Sequence, residues 1–246
     1  IGQVDAVLAG PPCQGHSNLN NRTRRADTRN ELYLTVPAIA IALRAPVVLI
    51  ENVQAAVHDR KQVVQSAVQL LRAAGYRVTT GVLKAAALGW PQRRNRFFVV
   101  ARPDRAPFEL AHVSDVLADD APPITWAFAN DAFAPRTSER PDCHKDGTTY
   151  NSVYGRLRTD QPAPTITTGF MTPGRGRYIH PTRRRGLTPR EAARLQGFPD
   201  TYDFRPTGST IPSKAKLSKW IGDAVPMPLG YAAGIAALGP SRLLNG

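Results

Sequence analysis

The sequence is poor in cysteine and in acidic residues. Cys13 and Cys143 are the two cysteines among 246 residues, and neither lies in a Cys-x-x-Cys pair or in a Cys/His cluster with zinc spacing. This excludes a disulfide framework and gives no structural metal site, so we expect a reducing cytoplasm. We find no apolar run long enough to cross a bilayer and therefore expect no membrane span.

Basic residues are in large excess. The chain has 32 Lys and Arg against 19 Asp and Glu, a net charge of +13. Each basic cluster alone could be solvated surface, but together they indicate a polyanionic partner whose phosphates they would neutralise. The clusters are Arg22, Arg24, Arg25 and Arg29; Arg93, Arg94 and Arg96; Arg175 and Arg177; Arg183, Arg184 and Arg185; and Lys214, Lys216 and Lys219.

The first hundred residues alternate between strand and helix patterns. We predict strands at 4–9, 47–50, 76–83 and 96–101 and helices at about 30–45 and 61–74, with Pro37 shortening or kinking the first helix. The second helix has Val64, Ala67, Val68 and Leu71 on one face and ends at Gly75. This order is typical of an α/β fold. From about 103 the pattern becomes irregular, until Thr188 and Glu191 form a predicted capping box and 228–238 a final helix.

Two candidate reactive side chains follow predicted strands. Cys13 lies in the turn Pro11-Pro12-Cys13-Gln14-Gly15 after strand 4–9, and Glu51 directly follows strand 47–50. Since ligands bind at the carboxyl ends of strands in such sheets, we expect a thiol and an acid to face one crevice. The alternatives are a buried cysteine in an ordinary turn and a glutamate that caps the next segment.

Two further motifs carry polar groups. Gln92, Arg94 and Arg96 alternate before strand 96–101, so an extended chain would point them to one side. The alternative is a solvated turn. The segment Gly222-Asp223-Ala224-Val225-Pro226 is predicted to open the last helix, where a helix N-terminus could hold a polar ligand.

In this order, Pro-Cys-Gln, Glu-Asn-Val, Gln-x-Arg-x-Arg and Gly-Asp-Ala-Val-Pro resemble the signature blocks of DNA cytosine-5 methyltransferases. The resemblance implies an α/β fold, with a partial Rossmann-like S-adenosylmethionine-dependent methyltransferase sheet plus a small irregular DNA-recognition domain. It divides the chain into a partial catalytic domain at 1–105, a target-recognition domain at 106–215 and a C-terminal segment at 216–246 that returns to the catalytic domain.

The same resemblance assigns roles to residues. Cys13 would attack C6 of a cytosine flipped out of double-stranded DNA, Glu51 would hold or protonate N3, and Arg94 and Arg96 would contact the base and orient the catalytic groups. S-adenosylmethionine would supply the methyl group to C5. The residues implied on the cofactor side are Pro12, Leu32 and Asp223. Those implied in DNA binding are Gln14, Asn18, Arg22, Arg24, Arg25, Arg29, Gln92, Arg175 and Arg177.

The match is incomplete. The family's glycine-rich Phe-x-Gly-x-Gly turn and the acidic residue after it are absent, and Asp223 stands where asparagine is commoner. We therefore expect four strands of a larger sheet, with strand 4–9 as an exposed apolar edge. A separate chain or a missing N-terminal segment would supply the rest, and the opening Ile1 favours a fragment of a longer chain.

Several functions remain open from the sequence. The leading hypothesis is the catalytic portion of a bacterial enzyme, cytoplasmic and nucleoid-associated, connected with restriction–modification. The alternatives are a catalytically silent DNA-binding remnant, which the missing glycine-rich turn favours, and one subunit of a split methyltransferase. A member acting on RNA is a less favoured possibility.

Overall fold

The computed structural model describes residues 3–12, 28–58, 61–110, 124–128, 154–183, 185–205 and 212–239. The chain forms two compact units. The first contains Ile1–Lys84, Asn95–Leu117 and Leu229–Gly246, and the second contains Ala85–Arg94 and Ala118–Pro228. The chain therefore passes between the two units more often than the predicted boundaries at 105/106 and 215/216 imply.

The first unit contains a four-stranded mixed sheet. Its strands are β1 (Val7–Ala9), β2 (Val48–Asn52), β3 (Arg77–Lys84) and β4 (Asn95–Arg102), in the order β1-β2-β4-β3. β1 runs parallel to β2, and β4 runs antiparallel to both of its neighbours. The predicted α/β fold with four strands is confirmed, although β1 is shorter than predicted.

Helices α1 (Thr35–Ala42) and α2 (Val63–Ala73) contribute to the apolar core on one side of this sheet. A 3-10 helix, Thr28–Leu34, precedes α1, so Pro37 lies in the first turn of α1, where its missing N–H costs no helical hydrogen bond. The predicted inward face of α2 is confirmed, and Gly75 ends that segment at a φ of +88°. The core includes Tyr33, Ala40, Val48, Ile50, Val64, Ala67, Leu71, Phe97 and Val99.

The second unit is built mainly from irregular segments around its own core, which includes Ile166, Phe170, Leu187, Leu195 and Ile221. Helix α3 (Pro189–Leu195) begins with the predicted capping box. Thr188 N donates to Glu191 Oε2 at 2.8 Å, and Glu191 N donates to Thr188 Oγ1 at 3.2 Å. The first turn of α3 is therefore closed by side chains of its own sequence.

A buried charge network packs beside this cap. Arg185 donates to both carboxylate oxygens of Glu191, at 2.7 and 2.8 Å, and His180 Nε2 lies 3.7 Å from Glu191 Oε1. His180 Nδ1 accepts from the backbone N–H groups of Thr182 and Arg183, at 3.2 and 3.1 Å. Burial is the main cause that lowers the pKa of His180 below its ordinary value of 6.5, and the nearby arginines act in the same direction against Glu191.

One expectation for the C-terminal segment is wrong. Gly222 and Asp223 are the last residues of α4 (Lys214–Asp223), and the final helix α5 (Met227–Leu238) begins after Pro226, which cannot continue a preceding helix hydrogen-bond ladder. The 25-residue stretch Lys214–Leu238 is long and apolar enough to cross a membrane by length and composition alone, although the sequence analysis finds no such run. Half of its most apolar part is buried within the protein, as is usual for core helices. The stretch is also divided into the two helices α4 and α5.

Candidate active site and DNA-contacting residues

The ends of three strands of the first unit meet at one edge of the sheet. β1 and β2 are parallel, so Gly10 and Asn52 come at the same edge of the sheet. β4 is antiparallel to β2, and its first residues, Asn95 and Arg96, therefore begin at that edge. The start of the turn that leads to Cys13, the carboxylate of Glu51 on β2 and the guanidinium of Arg96 on β4 therefore lie at the same edge of the sheet.

Glu51 and Arg96 form an ion pair at this edge. Arg96 Nε lies 2.7 Å from Glu51 Oε1, and the two side chains are only 14% and 17% exposed. The second carboxylate oxygen lies beside the turn, since a Cβ placed on Gly10 would be 3.6 Å from Glu51 Oε2. A carboxylate in this position is oriented by a neighbouring guanidinium and faces the start of the Pro-Pro-Cys turn.

Asn52 fastens that turn to β2. Its side chain is 1% exposed, Nδ2 donates to Pro11 O at 3.2 Å, and Oδ1 accepts from Val53 N at 2.8 Å. The carbonyl of Pro11 precedes Cys13 by two residues. Sequence reasoning missed Asn52. The signal that could have indicated it is its place beside Glu51 at the end of the strand. Because adjacent side chains on a strand point to opposite faces, a polar Asn52 must find its hydrogen-bond partners on the face that Glu51 does not use.

Tyr33 is a second residue that sequence reasoning missed. Its side chain is 1% exposed, and its hydroxyl makes no hydrogen bond within the part of the chain that the structure describes. Burial, and after it the negative charge of Glu51, raises the pKa of Tyr33, so the phenol stays protonated near the site. The sequence pattern could not have indicated that this hydroxyl lies near the site, because an aromatic residue at that position is typical of the hydrophobic core.

Gln92 and Arg94 belong to the second unit. Gln92 is fully buried, and its amide donates to Leu195 O at 2.7 Å and accepts from Ile166 N at 3.2 Å. The predicted DNA contact of Gln92 is therefore not supported, because its polar atoms are used inside the protein. Arg94 is 3% exposed and donates to Ile166 O at 2.6 Å and Gly222 O at 3.1 Å.

The chain passes from one unit to the other between Arg94 and Asn95, and a common side of Arg94 and Arg96 stays a prediction. Arg94 joins segments of the second unit, and Arg96 pairs with Glu51 in the first. A contact of Arg94 with the base stays a prediction.

Cys13 lies outside the described residues, as do Gln14, Asn18, Arg22, Arg24 and Arg25. The backbone of Arg29 lies in the 3-10 helix Thr28–Leu34. Their predicted roles in catalysis and DNA binding therefore rest on the sequence.

The residues implied on the cofactor side are exposed. Pro12 lies on the surface at the turn, and Leu32 is 46% exposed. Asp223 is half exposed in the second unit, where its Oδ2 lies 2.5 Å from Lys219 Nζ, one helical turn away. This lysine offsets the unfavourable position of a carboxylate at a helix C-terminus.

Arg175 and Arg177 differ in their surroundings. Arg175 ends the short 3-10 turn Pro173–Arg175 and is exposed. Arg177 is half-buried, and its Nη2 donates to Arg156 O at 3.5 Å. Their predicted DNA contacts stay predictions, and Arg175 is the one whose exposure suits a partner.

Comparison with known proteins shows the family of the chain. The model of the C-5 cytosine-specific DNA methylase family matches residues 1–125 and 125–236. The chain belongs to this family. Family members use S-adenosylmethionine as the methyl donor.

Individual relatives agree with this assignment. The chain is 36% identical to the Type II methyltransferase M1.BsuMI of Bacillus subtilis, over 94% of this chain and 60% of that protein. It is 30% identical to the Type II methylase M.HgiDII of Herpetosiphon aurantiacus, over 98% of this chain and 77% of that one. The fold is similar to that of the S. pombe Dnmt2 methyltransferase, with a TM-score of 0.72, 18% identity, and coverage of 97% of this chain and 79% of that chain. The chain thus spans about three fifths of the length of M1.BsuMI.

Proposed function

We propose that this chain carries the covalent chemistry and the DNA contacts of a DNA cytosine-5 methyltransferase. The observation that supports it most strongly is the ion pair of Glu51 and Arg96 at the edge of the sheet where β1 leads to Cys13. An acid held next to a turn that bears a thiol is the arrangement that nucleophilic attack on a ring carbon requires.

The proposed reaction uses these groups in sequence. The thiolate of Cys13 adds to C6 of a flipped cytosine, while Glu51 holds N3 and supplies a proton there, so that charge on the ring is neutralised as the carbon–sulfur bond forms. Arg96 orients the carboxylate, and Asn52 holds the turn. When bound, S-adenosylmethionine supplies a methyl group to C5. The C5 proton then passes to a base such as water, the sulfur departs from C6 as the thiolate, and the N3 proton returns to Glu51, which restores the ring and both side chains.

Two residues of the first unit fit one wall of a cofactor site. Pro12 and Leu32 offer exposed apolar surface in the first unit, which suits the face of an aromatic ring. Asp223 would have to give up its exposed ion pair with Lys219 in order to bind the cofactor. The loss would cost little, because exposed ion pairs contribute little to stability.

We include in the proposal that a further segment, on the same chain or on a separate one, completes the sheet. β1 is an edge strand of the described sheet, and Leu8 in its middle is 70% exposed. The unpaired edge of such a strand is a template for another strand. Double-stranded DNA as the substrate, in the bacterial cytoplasm at the nucleoid, completes the proposal.

The test is an intact-mass measurement with duplex DNA that contains 5-fluorocytosine, in the presence of S-adenosylmethionine. Fluorine at C5 cannot leave as a proton does, so the covalent complex persists. We expect a mass increase equal to the DNA plus one methyl group for the wild type and none for Cys13→Ala. The experiment uses the chain alone and the chain with the N-terminal segment of a relative.

The outcomes separate the parts of the proposal. An adduct that forms only with the added segment supports the chemistry and the need for completion of the sheet. An adduct with the chain alone supports the chemistry and contradicts that need. No adduct in either case, with DNA binding retained, would instead favour a silent DNA-binding protein.

A further inference from the structure

The guanidinium of Arg175 stands apart from the other described arginines of the second unit. Those others are engaged within the protein: Arg158, Arg185, Arg194 and Arg205 face carboxylates, and Arg93, Arg94, Arg156, Arg177 and Arg190 donate to backbone carbonyls. Arg183 also interacts with another group of the protein. Within the described residues, no hydrogen bond or ion pair of the Arg175 guanidinium is found, although its backbone N–H donates to Thr172 O at 2.9 Å.

The stem of Arg175 is nevertheless held in place. It lies across the buried Gly169, since a Cβ placed on that glycine would be 2.5 Å from Arg175 Cδ and 3.1 Å from its Cβ. Gly169 has no positive φ that would itself require glycine. Its lack of a side chain therefore serves the contact with the stem.

An arginine with a supported stem and an exposed head is suited to a directional contact. Ordering a long side chain costs conformational entropy, and packing along Gly169 reduces that cost before any partner binds. A phosphate needs only a positive charge nearby, which exposed lysines such as Lys214 and Lys216 of α4 can provide. A base edge needs the planar fork of a guanidinium at a fixed place.

We propose that Arg175 reads a guanine through its O6 and N7 atoms in the major groove of the target DNA, and that Gly169 is its positioning residue. The inference rests on the proposed function, because it requires that the second unit binds duplex DNA. It separates Arg175 from Arg177, whose guanidinium is already used inside the unit and does not read a base.

The experiment measures sequence preference in binding, independently of methyl transfer. The full chain, together with the added segment described above, is incubated with a library of random duplex DNA, and the bound fraction is sequenced. The variants are Arg175→Ala, Arg175→Lys and Gly169→Ala. The matched controls are Arg158→Ala, which removes another exposed arginine, and Gly155→Ala, whose Cβ would lie 2.5 Å from Arg177 Cζ instead.

We expect the wild type to enrich sequences with a G·C pair at one position that all three variants lose. A good bidentate contact discriminates against a wrong base by about 5- to 150-fold, and this factor should be lost at that position alone. Arg175→Lys is decisive, because it keeps the charge and removes the fork. Both controls should keep the wild-type preference, and circular dichroism checks that each variant is folded.

Other outcomes would overturn the inference. If Arg175→Ala weakens binding equally for all sequences and Arg175→Lys restores it, the residue contacts a phosphate. If all variants enrich the same sequences as the wild type, Arg175 reads nothing. If the wild type itself enriches no sequence, the premise of sequence-selective DNA binding fails, and the adduct measurement then decides independently whether the chemistry stands.

Discussion

The ion pair of Glu51 and Arg96 should couple the stability of the first unit to the proposed chemistry. We consider the variants Glu51→Gln and Arg96→Met and the double variant, which together form a thermodynamic cycle. Each single change removes the charge of one partner and keeps a side chain of similar size. The coupling energy is the part of the change that the two single variants do not explain additively.

The expected magnitude follows from the burial of the pair. Exposed pairs couple weakly, and loss of one partner from a fully buried pair costs several kcal/mol because the other charge stays unpaired. With exposures of 14% and 17%, this pair lies nearer the buried case, and we expect a coupling of about 1 to 3 kcal/mol. In the adduct reaction, the poorly oriented acid of Arg96→Met should slow covalent complex formation about 100-fold.

The free energy of unfolding is measured in urea by circular dichroism, on the transition in which the first unit unfolds. The rate of adduct formation is measured separately by rapid quench. The control cycle uses Arg158 and Asp160, a bidentate pair whose side chains are both about 60% exposed. That pair should show the smaller coupling and leave adduct formation unchanged. Equal couplings in the two cycles, or an unchanged rate for Arg96→Met, would refute the reasoning.

Three further perturbations test other parts of the structure. Asn52→Asp keeps the shape of the side chain but replaces the donor to Pro11 O with a second acceptor. The rate at which iodoacetamide alkylates Cys13, and the pH dependence of that rate, should therefore change. An unchanged pH dependence would show that other contacts hold the turn. The lowered pKa of His180 means that the unfolded chain binds a proton more readily, so stability is fully present above about pH 6.5 and falls as the pH drops below it. The midpoint of urea unfolding should decrease accordingly between about pH 7.5 and pH 5.5, and a smaller decrease is expected for His180→Gln. Gly222→Ala would place a Cβ 2.3 Å from a backbone nitrogen and should destabilise by about 1 to 3 kcal/mol or more, whereas Gly230→Ala, with nothing within 4 Å, should stabilise by about 0.5 to 1 kcal/mol in thermal melts.

The sequence predicted those parts of the fold that depend on local patterns. The alternation of strand and helix in the first hundred residues, the buried face of α2 and the capping box at Thr188 all depend on residues close together in the chain, and all three are present. The order of the motifs also indicated the family. Each of these features is visible because its period or spacing is fixed by backbone geometry.

The errors arose where distant segments decide the outcome. The helix predicted to open at Gly222 was misplaced because Ser213 caps α4 upstream and Pro226 separates it from α5. Gln92 was predicted to contact DNA because an exposed loop glutamine and a buried one look alike in sequence. Its burial depends on Leu195 and Ile166, which lie more than seventy residues away.

The Gln-x-Arg-x-Arg motif therefore has residues in both units. Gln92 and Arg94 bind backbone groups of the second unit, and one residue later the chain enters β4 of the first unit, where Arg96 meets Glu51. Glu51 and Asn52 divide their roles in a similar way, because neighbouring residues on a strand face opposite sides. One binds the guanidinium while the other binds the carbonyl of Pro11, so the end of a single strand fixes both the acid and the turn that leads to the thiol. A shift of β2 by one residue would exchange these sides and separate the acid from Arg96, so the register of β2 against β4 is a condition of the proposed chemistry.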